Sequence, residues 1–345
     1  MNEVGKQLSL TKMRGEKPML RSMYSGISGL KNFQTKLDVI GNNISNVNTY
    51  GFKKERTIFK DLISQTQAGA SGPTATRGGV NAVQVGLGSQ LAAIDTIHNG
   101  GSLQTTGRTL DLAISGDGFF MVGDSAADAA PDQADMADLA ANPLLDEGFT
   151  NISYTRAGNF YMDRNGFLVN GDGKYVVGVA NADLYAEVDD AAESFADDQK
   201  IDLGTEDLNA NGNFLDDTDS MGPIRIPTNA QSMSIGQDGT VSYVDVNGKR
   251  QFAGQLVLAK FPNASGLEKT GSNYFQVTAN SGEPLVQVGT QAGIGSVQSG
   301  FLEMSNVDLS EEFTEMIVAQ RGFQANSRII TTSDEILQEL VNLKR

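Results

Sequence analysis

The 345-residue sequence contains no cysteine and only one histidine. The absence of cysteine excludes disulfides, thiolate catalysis and Cys-ligated zinc, and a single histidine cannot form a multi-His metal site within one chain. No apolar run approaches the ~20 residues that a membrane-spanning helix needs, so we expect no membrane insertion. These absences remove most of the residue sets that enzymes use, and we expect no catalytic activity.

Positive charge is also scarce, since 26 Lys and Arg residues face 42 Asp and Glu residues and the formal net charge is −16. This balance argues against nucleic acid and anionic lipid as partners. The acidity is local: residues 124–155 hold seven acids and no base, and residues 175–222 hold thirteen acids and one base. We therefore interpret 124–149 and 180–221 as acidic insertions on a nearly neutral scaffold.

The first 18 residues are polar and mildly basic, and they lack the apolar segment of a secretory signal. A second methionine, Met19, opens the first periodic stretch. We expect residues 1–18 to be a leader or an extension from an upstream start.

Both ends of the chain are predicted to be long helices with an apolar seam. Near the N-terminus, apolar residues recur at steps of three and four, as in a coiled coil, at Leu30, Phe33, Leu37, Ile40, Ile44 and Val47. Near the C-terminus they recur every seven residues at Leu309, Met316, Phe323, Ile330 and Leu337, with a second row at Ile329, Ile336 and Leu343. Asp308 followed by Glu311 is typical of a helix N-cap.

The N-terminal helix should be marginal by itself. Gly26, Gly29 and Gly41 lie within it, and each costs roughly 0.5–1 kcal/mol relative to Ala. Its seam needs a partner, and the C-terminal helix is the obvious one. We expect both helices to gain order when copies of the chain stack; an ordinary helix pair within one chain is the alternative.

The middle of the chain is predicted to be β structure. Helical periodicity disappears from about residue 83 to 297, and short strand-like runs alternate with Gly, Asn and Asp. Asn165-Gly166 and Asn247-Gly248 are strong hairpin signals between such runs. The expected fold class is mainly β: a central all-β sandwich or barrel-like domain with paired N- and C-terminal coiled-coil helices.

We expect the chain to be organised around the pairing of its ends. Residues 19–65 and 303–345 would form a helical assembly domain, and residues 106–279 the β domain. Residues 66–105 and 280–302 would form extended linkers, because Gly, Ala, Ser and Thr dominate 68–79 and glycine recurs across 293–300.

Candidate chemistry is weak. His98 lies in a Gly- and Asn-rich stretch without a recognisable partner motif, so a surface or structural role is favoured. Asp207, Asn209 and Asn211 place oxygen ligands at positions 1, 3 and 5 of a calcium-type loop, with Gly212 at position 6. The twelfth position is Thr218 instead of the bidentate Glu, so a weak calcium site competes with an Asx-rich turn that holds no ion. No other cofactor is expected.

Four segments resemble the signature motifs of bacterial flagellar rod and hook proteins. They are the stretch 25–53 with its Gly-Asn-Asn-Ile-Ser-Asn-Val-Asn-Thr core, the stretch 106–120, Tyr154-Thr155-Arg156-Ala157-Gly158-Asn159-Phe160, and the stretch 305–327. Together the matches run from residue 19 to 345 apart from the acidic insertions. The chain is identified from them as a member of the rod and hook family.

The resemblance implies a structural subunit that the flagellar export apparatus secretes without a cleaved signal. Residues 255–261 and 306–312 look most like the hook protein, which implies a flexible helical tube that couples rod to filament and transmits torque. The chain is shorter than many hook proteins, so the distal rod protein is the alternative. Implied partners are further copies of the chain, rod and hook–filament junction proteins, the export apparatus and the hook cap. The implied location is the flagellar basal body or hook, outside the cell.

Overall fold

A computed structural model describes residues 3–74, 76–125, 149–180, 221–291 and 293–343. Two long α-helices lie at the ends of this described part, α1 at Glu3–Ser45 and α2 at Leu309–Asn342. The described residues contain no helix that is long and apolar enough to cross a membrane. The α1 helix begins at Glu3 and therefore includes residues that we expected to form a separate leader.

The N-terminus of α2 is where the sequence predicts it. Asp308 is the N-cap, and its Oδ1 accepts hydrogen bonds from the main-chain N–H groups of Ser310, at 2.8 Å, and Glu311, at 3.4 Å. These bonds satisfy donors that an uncapped helix would leave without a partner. The predicted cap is confirmed.

The chain divides into two compact units. The first, here the helical unit, comprises residues 1–47, 54–97 and 307–345, and the second, here the β unit, comprises residues 48–53 and 98–306. Each unit draws on both halves of the sequence, because the chain passes from the helical unit to the β unit after residue 47, returns at residues 54–97, and returns again with α2.

Besides its two helices, the helical unit contains a long antiparallel ribbon. Its four strands pair as β1 with β4 and β2 with β3, and they are β1 (Glu55–Asp61), β2 (Ser64–Ala68), β3 (Val83–Gly86) and β4 (Ser89–Thr96). The ribbon continues towards its tip, where the main chains of Ser71 and Val80 exchange hydrogen bonds of 2.9 and 3.0 Å. The structure thus differs here from the extended linker predicted for 66–105. All five residues of β2 are exposed, so this strand shows no apolar alternation that the sequence could reveal.

The β unit is built around one large antiparallel sheet. The strands of this unit are β5 (Leu103–Thr105), β6 (Leu112–Ser115), β7 (Phe119–Ser125), β8 (Phe149–Thr155), β9 (Tyr161–Met162), β10 (Leu168–Val169), β11 (Tyr175–Ala180), β12 (Met221–Pro223), β13 (Ser232–Ile235), β14 (Thr240–Val244), β15 (Arg250–Lys260), β16 (Glu268–Gly271), β17 (Tyr274–Gln276), β18 (Leu285–Val288), β19 (Ser296–Ser299) and β20 (Phe301–Glu303). The main path of the sheet runs β13-β14-β15-β11-β7-β8-β17-β16. A 3-10 turn, Ala264–Gly266, precedes β16.

Both faces of this sheet are buried. On β7, Phe120 and Val122 pack into one apolar cluster, while Phe119 and Met121 pack into a second. The long strand β15 divides in the same way, with Leu258 in the first cluster and Val257 in the second. Two covered faces give a sandwich-like unit, and the predicted fold class, mainly β with helices at both ends, is confirmed.

The two predicted hairpins are present. Asn165-Gly166 connects β9 to β10, and Asn247-Gly248 connects β14 to β15. Both glycines have positive φ, at 89° and 76°, as tight hairpin turns require.

The return segment 280–302, which we expected to be a linker, contains three paired strands. β18 pairs with β15, β19 with β6 and β20 with β5. Val286 and Val288 are buried, so this segment contributes to the core of the β unit. The predicted acidic insertions lie almost wholly outside the described residues.

Candidate assembly surface

The two helices of the helical unit pack against each other in an antiparallel arrangement. At one end of the contact, a Cβ on Gly26 of α1 would lie 3.5 Å from Cγ1 of Ile330 in α2. At the other end, the side-chain amide of Asn43 donates to a carboxylate oxygen of Glu312 at 3.2 Å. The alternative of a helix pair within one chain is therefore realised in this structure.

Glycines let these helices approach closely. A Cβ on Gly322 of α2 would lie 2.5 Å from the Phe33 ring of α1, and one on Gly29 would lie 2.8 Å from the Asn326 amide. Real Cβ atoms do not approach so closely, and only glycine fits without a shift of the neighbour. Of the three glycines that weaken α1 as an isolated helix, Gly26 and Gly29 thus lie at its contact with α2, whereas Gly41 does not.

Polar contacts fix the register where α1 ends. The Lys54 ammonium lies 2.8 Å from carboxylate oxygens of both Glu311 and Glu312. Partial burial of Lys54 opposes its charge, but hydrogen bonds to the two carboxylates dominate and raise its pKa. Further along the pair, Lys36 of α1 lies 2.5 Å from Glu315 of α2.

A second face of α1 packs on the ribbon. The amide of Asn32 donates to the hydroxyl of Ser89 at 2.8 Å, and Asn43 exchanges hydrogen bonds of 2.9 and 3.0 Å with the main chain of Glu55. Val39 and Ile40 are buried in the same unit. The ribbon therefore supplies part of the partner surface that the marginal helix needs.

The structure places the predicted seam at the margin of this helix contact. Leu30, Leu37 and Ile44 of α1 are half-buried, as are Met316, Ile330 and Leu337 of α2. Leu309 and Phe323 stay exposed, at 39% and 37% of their surface. The most buried residues on α2 are Glu312 and Ala319, which are polar or small, so within one chain the seam is only partly covered.

Beyond the seam, α2 carries large apolar side chains that the described residues leave exposed. Phe313, Ile317 and Val318 are exposed at 50%, 52% and 57%, and Ile329 and Ile336 at 45% and 44%. We call these five residues the outer face of α2. The seven-residue spacing in the sequence includes Ile329 and Ile336 but not the first three, although Phe313 and Ile317 have helical i, i+4 spacing.

The helix α1 contributes two further large exposed hydrophobic side chains. Tyr24 is 69% exposed and Ile27 is 49% exposed. Exposed apolar residues arranged along one element mark a surface that contacts other protein. The helical unit thus has the features of a subunit surface that is completed by further chains.

The β unit holds a buried charge cluster that the sequence did not reveal. Glu303 accepts from Lys53 Nζ at 2.6 Å and from Arg156 Nη1 at 3.2 Å, and all three side chains are at most 2% exposed. Lys53 also donates to the carbonyl of Asn99 at 2.9 Å. Burial lowers the pKa of Lys53, since charge is costly to hold away from water.

His98 lies beside this cluster, between the rings of Phe119 and Phe275, at centroid distances of 5.5 and 5.3 Å. Both ring nitrogens are buried without a hydrogen-bond partner among the described residues. Burial, reinforced by the positive charges of Lys53 and Arg156, lowers the pKa of His98 to about 4. His98 is thus a structural, neutral histidine within the described part of the chain.

The predicted calcium ligands Asp207, Asn209 and Asn211 lie outside the described residues. Among the residues that the structure does describe, no group of three or more acidic or histidine side chains could hold a metal ion. The calcium loop stays a prediction.

Comparison with known proteins identifies the family of this chain. Residues 23–53 match the flagella basal body rod protein family, residues 145–243 the flagellar hook protein FlgE/F/G D1 domain, and residues 298–343 the flagellar basal body rod FlgEFG protein C-terminal family. These regions include three of the four motifs that carried the resemblance.

Relatives match along almost the whole chain. The flagellar basal-body rod protein FlgG of Bacillus subtilis is 53% identical over 329 residues, which cover 95% of this chain and all of that protein. The flagellar hook protein FlgE of Borreliella burgdorferi is 34% identical over 442 residues, covering 94% of this chain and all of that protein. The basal-body rod protein FlgG of the same organism is 33% identical over 331 residues, covering 95% of this chain and all of that protein.

A mainly β chain whose two ends pair into a helical unit with exposed apolar faces is typical of a structural subunit. The chain belongs to the flagellar rod and hook protein family, whose members form the flagellar basal body and hook.

Proposed function

We propose that this chain is a subunit of the distal rod of the flagellar basal body. The observation that carries the proposal is the 53% identity with a FlgG rod protein over an alignment nearly as long as the chain. The hook relative is more distant, and its alignment of 442 residues exceeds the 345 of this chain. These identities support the rod alternative better than the expectation of a hook subunit.

In this proposal the outer face of α2 packs against neighbouring copies. Fully burying a large apolar side chain is worth roughly 1.5–3 kcal/mol, and these half-exposed residues would each contribute roughly half of that against the entropy cost of association. The half-covered seam would be completed at the same time. The role is structural, with no catalytic step, and a homopolymer is the principal partner.

Other partners follow from position in such a polymer. The proposed contacts are neighbouring rod proteins at one end of the polymer and hook and junction proteins at the other. The export apparatus that delivers the chain is a further proposed contact. The hook cap, a partner of hook assembly, belongs to the hook expectation and is not part of this proposal.

The experiment replaces one residue of the outer face. Ile317→Asp puts a carboxylate where the proposed contact is dry, and an unpaired buried charge is strongly unfavourable. We expect the purified variant to remain monomeric under conditions in which the wild-type chain forms tubes, by electron microscopy and sedimentation. Thr331→Asp, at an exposed and already polar position of the same helix, adds the same charge and should leave assembly intact.

Far-ultraviolet circular dichroism should show that both variants keep the fold of the free chain. Tubes from Ile317→Asp equal in number and length to the wild type would contradict the proposed surface. Tube shape tests the finer assignment, because short straight structures support a rod subunit and long curved ones support a hook subunit.

A further inference from the structure

An open polar cleft lies wholly within the β unit and is not part of the proposed assembly surface. Its volume is about 350 Å³, which is in the range of about 300–1,000 Å³ that small-molecule sites occupy. Two of the signature motifs meet there, since residues 48–50 form one wall and residues 155–159 another. The turns at 170–172 and 272–274 complete it.

The lining consists of neutral hydrogen-bonding groups and two aromatic rings. Four side-chain amides, three hydroxyl residues and two tyrosines face the cleft, and the one charged residue among them is Asp172. Amides and hydroxyls both donate and accept hydrogen bonds. A ligand that matches this wall must itself carry many groups that donate and accept hydrogen bonds.

The walls are held in place by their own contacts. The Tyr274 hydroxyl donates to Asp172 and accepts from Asn170, both at 2.5 Å. The Asn273 amide donates to the carbonyl of Tyr50 at 3.0 Å, and Thr155 donates to the carbonyl of Asn273 at the same distance. A site whose side chains are already positioned loses little conformational freedom on binding.

Some polar groups of the cleft have no protein partner. Within the described part of the chain, the side-chain amides of Asn48 and Asn159 make no hydrogen bond. The Asn159 amide is 3.8 Å from the position of a Cβ on Gly171, the residue that lines the opposite turn. A ligand in the cleft would find these two amides free to donate and accept.

The same lining excludes other ligand classes. Phosphates and nucleotides are disfavoured, because no Lys or Arg lines the cleft and Asp172 would repel them. Apolar ligands would strip water from the amides without replacing its hydrogen bonds. An extended peptide is disfavoured because three of the four lining segments are turns, which offer no row of unpaired main-chain groups for strand addition.

We propose that this cleft binds a neutral saccharide. Sugar hydroxyls donate and accept like the amides that face them, and the C–H face of a sugar ring can pack on the ring of Tyr50 or Tyr274. The cleft has one carboxylate, whereas glycoside hydrolysis uses two, so the site binds and does not cleave. The proposal is independent of the rod assignment.

Saturation-transfer NMR with the full-length monomer tests the proposal. Chitotetraose, cellotetraose and maltotetraose are the probes, and triglycine is the comparison ligand. We expect transfer to at least one oligosaccharide, at least a fivefold weaker signal with Asn159→Leu or Tyr274→Phe, and an unchanged signal with Asn247→Ala at a distant exposed turn. Tyr274→Phe keeps the ring and removes only its hydrogen bonds to Asn170 and Asp172.

The proposal is overturned if none of the three oligosaccharides shows transfer at millimolar concentration, or if the cleft variants bind as well as the wild type. Transfer to triglycine with none to the sugars would also overturn it and would indicate a peptide site. Thermal melts of each variant show whether a lost signal reflects an unfolded β unit. If a variant is unfolded, Asp172→Asn at an exposed position replaces it. We expect Asp172→Asn to weaken saccharide binding.

Discussion

Lys53, Arg156 and Glu303 form a buried cluster with two cations and one carboxylate, and the orientation of each side chain depends on the others. Gly101 N–H also donates to Glu303 at 2.9 Å, and Arg156 donates to the carbonyl of Gly116 at 2.8 Å. The cluster therefore connects chain segments far apart in sequence within the β unit. A buried ion pair is weak evidence for stability by itself, but removing one partner leaves an uncompensated charge.

The Glu303→Gln variant tests this cluster. Without the carboxylate, two buried cations lack a counterion, and we expect a loss of about 3–5 kcal/mol in the free energy of unfolding. Urea unfolding of the full chain measures it. Glu283→Gln, at an exposed position, should change stability by no more than about 0.5 kcal/mol. Equal stability of the two variants would show that the cluster is dispensable.

His98 should make the β unit sensitive to acid. Its pKa is about 4 in the folded chain and near 6.5 in the unfolded chain, so the unfolded chain binds the proton more readily. The contribution of neutral His98 is complete above pH 6.5 and is lost as the pH falls towards 4, by at most about 3 kcal/mol.

The His98→Phe variant isolates this effect, because a phenyl ring can take the place of the imidazole between Phe119 and Phe275. We expect the free energy of unfolding to fall more steeply between pH 7 and 4.5 in the wild type than in the variant. Parallel pH profiles would mean that other groups cause the acid sensitivity.

At the scale of elements, the contact of α1 with α2 includes glycines that a side chain could not replace without a shift. The tightest of these positions is Gly322, where Phe33 fills the space that a side chain would take. Gly41 of α1 is different, since a Cβ there would meet nothing within 4 Å. The same substitution at these two positions should therefore have opposite effects.

Gly322→Ala should destabilise the helix pair by about 1–3 kcal/mol, because the Phe33 ring must move, although alanine favours the helix. Gly41→Ala should stabilise α1 by about 0.5–1 kcal/mol. Hydrogen exchange of α1 and α2 in the free monomer reports both changes. Faster exchange in Gly41→Ala, or slower exchange in Gly322→Ala, would contradict the observed crossing.

At the scale of the whole molecule, the described strands that flank each acidic insertion are paired. Ser125 of β7 pairs with Phe149 of β8, and Val179 of β11 pairs with Met221 of β12. The strand ends that flank each insertion are thus neighbours and can be joined by a short turn.

We therefore expect a chain in which residues 126–148 and 181–220 are each replaced by a short turn to fold and to form tubes. Sedimentation and electron microscopy measure assembly, and a thermal melt measures the fold. A folded chain that no longer assembles would show that the insertions take part in subunit contacts.

The sequence alone determined the local features. The spacing of apolar residues, Asp308 as N-cap and the two Asn-Gly turns each act over a few residues, so helices, hairpins and the mainly β class could be predicted, and the motifs gave the family. The tertiary structure decided the rest. Four features depend on which distant residues meet. They are the pairing of the exposed ribbon at 54–97, the burial of Lys53 with Glu303, the glycine contacts between the helices, and the outer face of α2. These contacts join residues that are far apart in the sequence. Local patterns cannot predict them, because packing and main-chain pairing across long loops leave no periodic signal in the sequence.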